Sequence, residues 1–213
     1  MANVNAPFGL AVYRGGGSYA SNQQGTVYSI PTSDSSNAYY MGDVVKAAAS
    51  GTTGGTPNVT KITNGTDAIR GVIVGIYQPG MYSDAQPTSI TGQPLTLENN
   101  YVPATKAAPY FVLVEDDPTT IFVAQDDGVT TANLVAASCN LNASLTITNG
   151  ATNVSASASV ILSSSMATTA SLCLKLLGLA HGPQFGVNNA YGAYAKWCCR
   201  INLSELTGSF AGV

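Results

Sequence analysis

The side chains best placed to do chemistry lie in two acidic turns, Glu115-Asp116-Asp117 and Asp126-Asp127, on either side of one apolar run. Carboxylates grouped this way could hold a hard cation such as calcium, or serve as the acid and base of a glycoside hydrolase. The first group runs into Pro118 and the second into Gly128, and neither contains the D-x-[DN]-x-[DN]-G pattern of an EF-hand loop. Two acidic turns without metal or cofactor are therefore expected. His181 is the single histidine, so any Ser-His-Asp or Cys-His nucleophile would have to be built around it. It precedes Gly182-Pro183, which reads as a surface or interface turn. Cys139, Cys173, Cys198 and Cys199 show no CxxC spacing. They are expected to be small buried thiols, because the adjacent pair Cys198-Cys199 could close only a strained ring. Lys175, between Leu174 and Leu176, is expected to face solvent across the pleat of a strand rather than act as a catalytic amine. No enzymatic activity is expected.

The composition narrows the function further. Only 9% of the 213 residues are charged, with 8 Lys/Arg against 11 Asp/Glu and a formal net charge of −3. Ordinary soluble domains carry roughly 25% charge. Polarity comes instead from 20 Ser, 22 Thr and 16 Asn, beside 22 Gly. Eight scattered cations cannot neutralise a run of phosphates, so nucleic-acid binding is excluded. No span approaches the roughly 20 apolar residues that a membrane helix needs. The first ten residues lack the charged start and apolar run of a signal peptide, which leads one to expect synthesis in a reducing cytoplasm.

The elements that must position these residues read as strands. Residues 1–25, with Gly15-Gly16-Gly17 and few apolar anchors, suit an extended arm, and residues 26–213 a β-rich domain. Thr26-Val27-Tyr28-Ser29-Ile30 alternates and stops at Pro31. Runs at 39–45, 69–77, 110–114, 120–124, 144–148, 157–162, 171–177 and 197–203 are also strand-like. The pair 110–114 and 120–124, with turn chemistry at both ends, reads as a hairpin-like unit. Pro57 and the glycines of 51–55 read as a loop, and so does the proline-punctuated stretch around Pro79, Pro87 and Pro94. One short helix is expected over 132–137, capped by Thr131. The class is all-β, a sandwich or barrel.

Several motifs stand out as an ordered series. They are Ala6-Pro7-Phe8-Gly9-Leu10, Gly42-Asp43-Val44-Val45, Gly71-Val72-Ile73-Val74-Gly75, Tyr101-Val102-Pro103-Ala104 and Thr120-Ile121-Phe122-Val123-Ala124. Leu174-Lys175-Leu176-Leu177-Gly178 and Tyr194-Ala195-Lys196-Trp197 close it. In this order and spacing the series resembles the capsid decoration, or cement, proteins of tailed bacteriophages across nearly the whole chain. The resemblance implies a jelly-roll-like β fold with an extended N-terminal arm. It also implies a role on the outer surface of the virion, clamping subunits of the major capsid protein. The stretch Trp197-Cys198-Cys199-Arg200 departs from the apolar strand expected there.

The residues expected to make capsid or subunit contacts are Phe8, Leu10, Val12, Tyr13, Tyr19, Tyr39 and Tyr40, since aromatic side chains are enriched at protein interfaces. Sparse charge and exposed sheet edges favour closed self-association, with a homotrimer expected ahead of a dimer. The alternative is a phage tail or fibre module that presents its tyrosines to host glycans.

Overall fold

The computed structural model describes residues 3–14, 25–77, 101–129, 134–150, 156–181 and 189–207. The protein is all-β. Five strands form a closed barrel in the order β2 (Thr26–Ile30), β5 (Pro57–Lys61), β4 (Val44–Gly51), β6 (Gly71–Tyr77) and β8 (Tyr110–Glu115). A six-stranded sheet runs β1 (Ala11–Arg14), β9 (Ile121–Gln125), β13 (Lys196–Ile201), β12 (Leu174–Leu179), β10 (Asn142–Thr146) and β11 (Val160–Ala167). A short ribbon pairs β3 (Tyr39–Tyr40) with β7 (Tyr101–Val102).

Strand alternation divides the apolar residues between two cores. In β4 and β6, Val45 and Ile73 join Tyr28, Ile30, Val59, Val112 and Val114 inside the barrel. Their neighbours Val44 and Val72 point the other way, into a larger core with Phe122, Leu145, Leu174, Leu176 and Trp197 of the sheet. The barrel wall is thus shared by both cores, at roughly 1.5–3 kcal/mol for each fully buried side chain. β13 follows the same rule: Trp197, Cys199 and Ile201 are buried while Lys196, Cys198 and Arg200 are half-buried. Cys198 and Cys199 consequently face opposite sides of the strand, and none of the four cysteines is disulfide-bonded. The ribbon adds Tyr39 and Val102 to the barrel core, so it plugs the barrel rather than standing apart.

Several expectations meet a different outcome here. β8 and β9 are not a hairpin. β8 pairs with β2 and β6 in the barrel, whereas β9 pairs with β1 and β13 in the sheet. The Glu115–Pro118 turn chemistry is real, but the turn carries the chain from one unit to the other. Residues 3–14 of the expected extended arm lie against the sheet, while 15–24 lie outside the described residues. β1 pairs antiparallel with β9, Ala6 N–H donates to Gln125 Oε1 (2.9 Å), and Asn3 Nδ2 donates to the Ala190 and Ala193 carbonyls (2.8 and 3.0 Å). Leu10 is buried in the larger core. A few well-placed anchors suffice because the backbone of the segment is taken up by a sheet. Strand β5 was hidden by the Pro57 signal, since proline is tolerated as the first residue of a strand. The expected helix is a 3-10 turn at Ala136–Ser138, and Thr131 lies outside the described residues.

The N-terminal segment crosses the turn between β3 and β4 through two facing glycines. Gly9 (φ +69°) and Gly42 (φ +85°) both occupy the left-handed region, and Leu10 N–H donates to Gly42 O at 3.0 Å. A Cβ on Gly42 would fall 2.4 Å from Phe8 O, and one on Gly9 would fall 2.4 Å from Gly42 O. Gly42→Ala is expected to cost about 2 kcal/mol or more, from backbone strain plus a backbone clash. Gly55, also at positive φ (+94°) but with nothing within 4 Å of its Cβ position, is the control. Urea unfolding of the two variants checks this, and equal losses would refute a steric role for the crossing.

Candidate functional site

Two features meet at the Gly9–Gly42 crossing, an apolar groove on the outside and a buried polar node on the inside. The groove has a volume of about 600 Å³ and is lined by Ala6, Phe8, Leu10, Ala11 and Val12 on one side. Met41, Gly42, Ile73, Val74 and Ala156 form the other side, with Lys196 at hand. Lys196 is its one titratable side chain, so the groove has no acid–base pair and no nucleophile with a base. What it can do is accept apolar side chains from another molecule, being of the size that holds a small ligand or a few large side chains.

The node lies behind Gly42. Lys61 Nζ sits 2.5 Å from Asp43 Oδ2, with side-chain exposures of only 4% and 1%. Lys61 Nζ also donates to Asn149 Oδ1 (2.8 Å) and lies 5.5 Å from the ring centres of both Tyr39 and Tyr40. Tyr40 N–H donates to Asp43 Oδ2 (2.9 Å), and Ile73 N–H donates to Asp43 O (2.9 Å). Burial raises the Asp43 carboxyl above its ordinary value, opposed chiefly by the Lys61 charge. Lys106 is also buried, with Nζ 5.5 Å from the Tyr39 ring centre, and donates to the carbonyls of Asp34, Asn37 and Ala104. Tyr39 O–H donates to Asp34 Oδ2, which also accepts from Thr60 Oγ1 (3.3 Å). Desolvation and the Asp34 hydrogen bond together push the Tyr39 phenol above its usual range.

The expected contact residues divide between these two features. Phe8 and Val12 are half-buried and line the groove, and Leu10 lies at its base with 2% exposure. Tyr13 is half-buried and its hydroxyl donates to the His181 carbonyl (3.0 Å). Tyr19 lies outside the described residues. Tyr39 (0%) and Tyr40 (2%) are not surface anchors, which corrects that expectation. They are buried to contact Lys61 and, for Tyr40, to stack on Tyr101 at 5.5 Å. The composition could not show this, because an aromatic that shields a buried cation and one that meets a partner look alike in sequence. Met41, Ile73 and Val74 were missed as groove residues; the signal for them was the paired glycine motifs around Gly9 and Gly42, which mark a close backbone crossing.

The acidic turns are held by hydrogen bonds, most of them to residues remote in sequence. Asp116 accepts from Tyr28 O–H (2.8 Å) and Asp117 from Thr119 N–H (2.7 Å). Asp126 accepts from Tyr194 N–H (2.7 Å), and Asp127 from Ser163 O–H (2.5 Å). Among the described residues, no three His, Cys, Asp or Glu side chains come together in a way that could hold a metal ion. No family model, curated protein or solved structure matches this chain. What the fold and site define is an all-β protein with an apolar groove braced by a buried ion pair.

Asp34 yields a prediction. Burial raises its carboxyl, but the Tyr39 hydroxyl, the Asn37 amide, the Lys106 charge and the Thr60 hydroxyl together hold it below the ordinary 3.8. A lowered folded-state value means that the group stabilises the fold above its unfolded value, and that this contribution is lost as pH falls through the folded one. Asp34→Asn should therefore flatten the loss of stability below about pH 4 while lowering stability at neutral pH. Thermal melts of both forms between neutral and acid pH test this, and parallel curves would refute it.

Proposed function

We propose that this chain is a structural protein of a tailed-phage virion, a capsid decoration protein that binds the outer head surface between major capsid subunits and stabilises the shell. The observation that carries this reading is the convergence of three motifs of the resemblance. Ala6-Pro7-Phe8-Gly9-Leu10, Gly42-Asp43 and Gly71-Val72-Ile73-Val74-Gly75, remote in sequence, together supply most of one apolar groove. A groove whose one titratable side chain is Lys196 suits adhesion rather than turnover, and interface cores are typically depleted of charge. Many copies on one lattice add avidity, so each contact can be modest. The reading includes no enzymatic activity, no cofactor, and no nucleic-acid or membrane partner.

The rival, a fibre module for host glycans, would call for an exposed aromatic platform. Among the described residues, Tyr191 is the only tyrosine that is largely exposed. That observation favours the shell reading.

Met41 is exposed at the groove, so Met41→Glu is expected to leave the fold unchanged. Burying an unpaired carboxylate against an apolar partner should lower retention on heads at least about tenfold. Quantitative mass spectrometry of purified virions tests this, with the native protein expected at a fixed ratio to the major capsid protein. Full retention of Met41→Glu, or absence of the chain from virions, would overturn the reading.

Self-association is a further part of the proposal. β1 forms one end of the open sheet, and an edge of this kind is usually paired or covered. A homotrimer is expected in solution, with a dimer second. Light scattering giving 21.7 kDa at micromolar concentration would refute a preformed oligomer.

A further inference from the structure

The node holds a carboxyl and a carboxamide, each within hydrogen-bonding distance of the Lys61 amine, and the groove uses none of the three. Lys61 Nζ contacts Asp43 Oδ2 at 2.5 Å and Asn149 Oδ1 at 2.8 Å. We propose that Lys61 and Asn149 form an intramolecular amide bond, with Asp43 as the proton carrier. This goes beyond the shell reading and does not rest on it.

The chemistry balances without any added reagent. Asp43 Oδ2 takes a proton from the Lys61 ammonium, leaving a neutral amine, which is the nucleophilic form of lysine. The amine forms a bond to Asn149 Cγ, and the Cγ–Nδ2 bond breaks. Nζ gives up two protons in all, and both leave with Nδ2 as ammonium. Asp43 ends as the carboxylate it began as. Nothing is oxidised or reduced.

The surroundings favour each step. Asp43 and Lys61 are almost fully buried, and in a low-dielectric site a carboxyl is readier to hold a proton. The raised Asp43 carboxyl is in keeping with that. The rings of Tyr39 and Tyr40 flank Nζ and leave it little room to turn away. Asn149 itself is exposed on its outer side, which gives the ammonium a way out. Gly150 presses the loop against Tyr40, since a Cβ there would meet Ala156 O at 2.4 Å and Tyr40 Cδ1 at 3.0 Å. The new bond would join β5 of the barrel to the loop that follows β10 of the sheet, bracing the two units against each other.

The experiment is intact and peptide-level mass spectrometry on the full-length folded protein after incubation at neutral pH. The expected result is a mass one ammonia below that of the sequence, with a branched peptide joining Lys61 to Asn149. Asn149→Ala alters only an exposed loop residue and should fold, show its full sequence mass and melt at a lower temperature. Asp43→Asn should likewise show its full mass. The Asn149-Gly150 pair can also lose ammonia by forming a backbone succinimide, so Lys61→Arg is the discriminating variant. Retention of the mass loss in Lys61→Arg would assign it to the succinimide and overturn the proposal. So would a native protein whose Asn149 stays intact, or is only deamidated.

Discussion

The arrangement of the molecule depends on removing Asp43 and Lys61 from water together. Two buried charges lose several kcal/mol each in hydration, and the loss is recovered only if geometry and further hydrogen bonds are both good. Meeting that condition fixes the neighbourhood. Asp43 takes the Tyr40 N–H and lends its own carbonyl to Ile73, so the β3–β4 turn is tied to β6. Lys61 requires Tyr39 and Tyr40 on its flanks and Asn149 at its tip, which draws in the ribbon and a loop of the other sheet. By contrast, the partly exposed pairs Lys46–Asp67 and Arg70–Glu205 are each worth only about 0–1 kcal/mol. The surface pairs could be lost with little effect, whereas the buried one could be given up only if another tie took its place.

The same turn makes the groove. For Asp43 to point inward, Gly42 must take a left-handed conformation, and the N-terminal segment then crosses it at a distance only glycine permits. Phe8, Leu10 and Val12 are thereby set opposite Met41, Ile73 and Val74. A polar constraint inside the protein thus shapes an apolar surface outside it, and a change in either feature should be felt in the other.

Periodicity made the strands legible. Thr26-Val27-Tyr28-Ser29-Ile30 is β2 to the residue, and the alternation of Leu174 and Leu176 about Lys175 holds in β12, where both leucines are buried and Lys175 is half-buried. What periodicity could not reveal was partnership. β8 and β9 carry the signature of a hairpin but belong to different sheets, because strand pairing is decided by the long-range contacts of both faces. Likewise Ala11–Arg14 carries no strong strand signal of its own and becomes a strand through β9. Glycine motifs were the most informative local feature of the site, since positive φ and close approach have a physical cause in the residue itself. The tyrosines were the least informative, as Tyr39 and Tyr40 show.

Charge is scarcer at the surface than the composition alone implies. Of the eight cations, Lys61 and Lys106 are buried, and Lys46 and Arg70 are engaged by carboxylates. Little is left to steer a partner from a distance, and electrostatic steering is what lifts association rates far above the ordinary range. On the proposed reading, association through the groove would be short-ranged, driven by apolar area and shape, and nearly insensitive to salt. Such contacts form slowly and are individually modest. They become effective where copies are held close together and presented in a fixed orientation, which is the condition a repeating lattice provides. A groove held in shape by the buried pair would serve the same end, because a preformed groove has less conformational entropy to lose on binding.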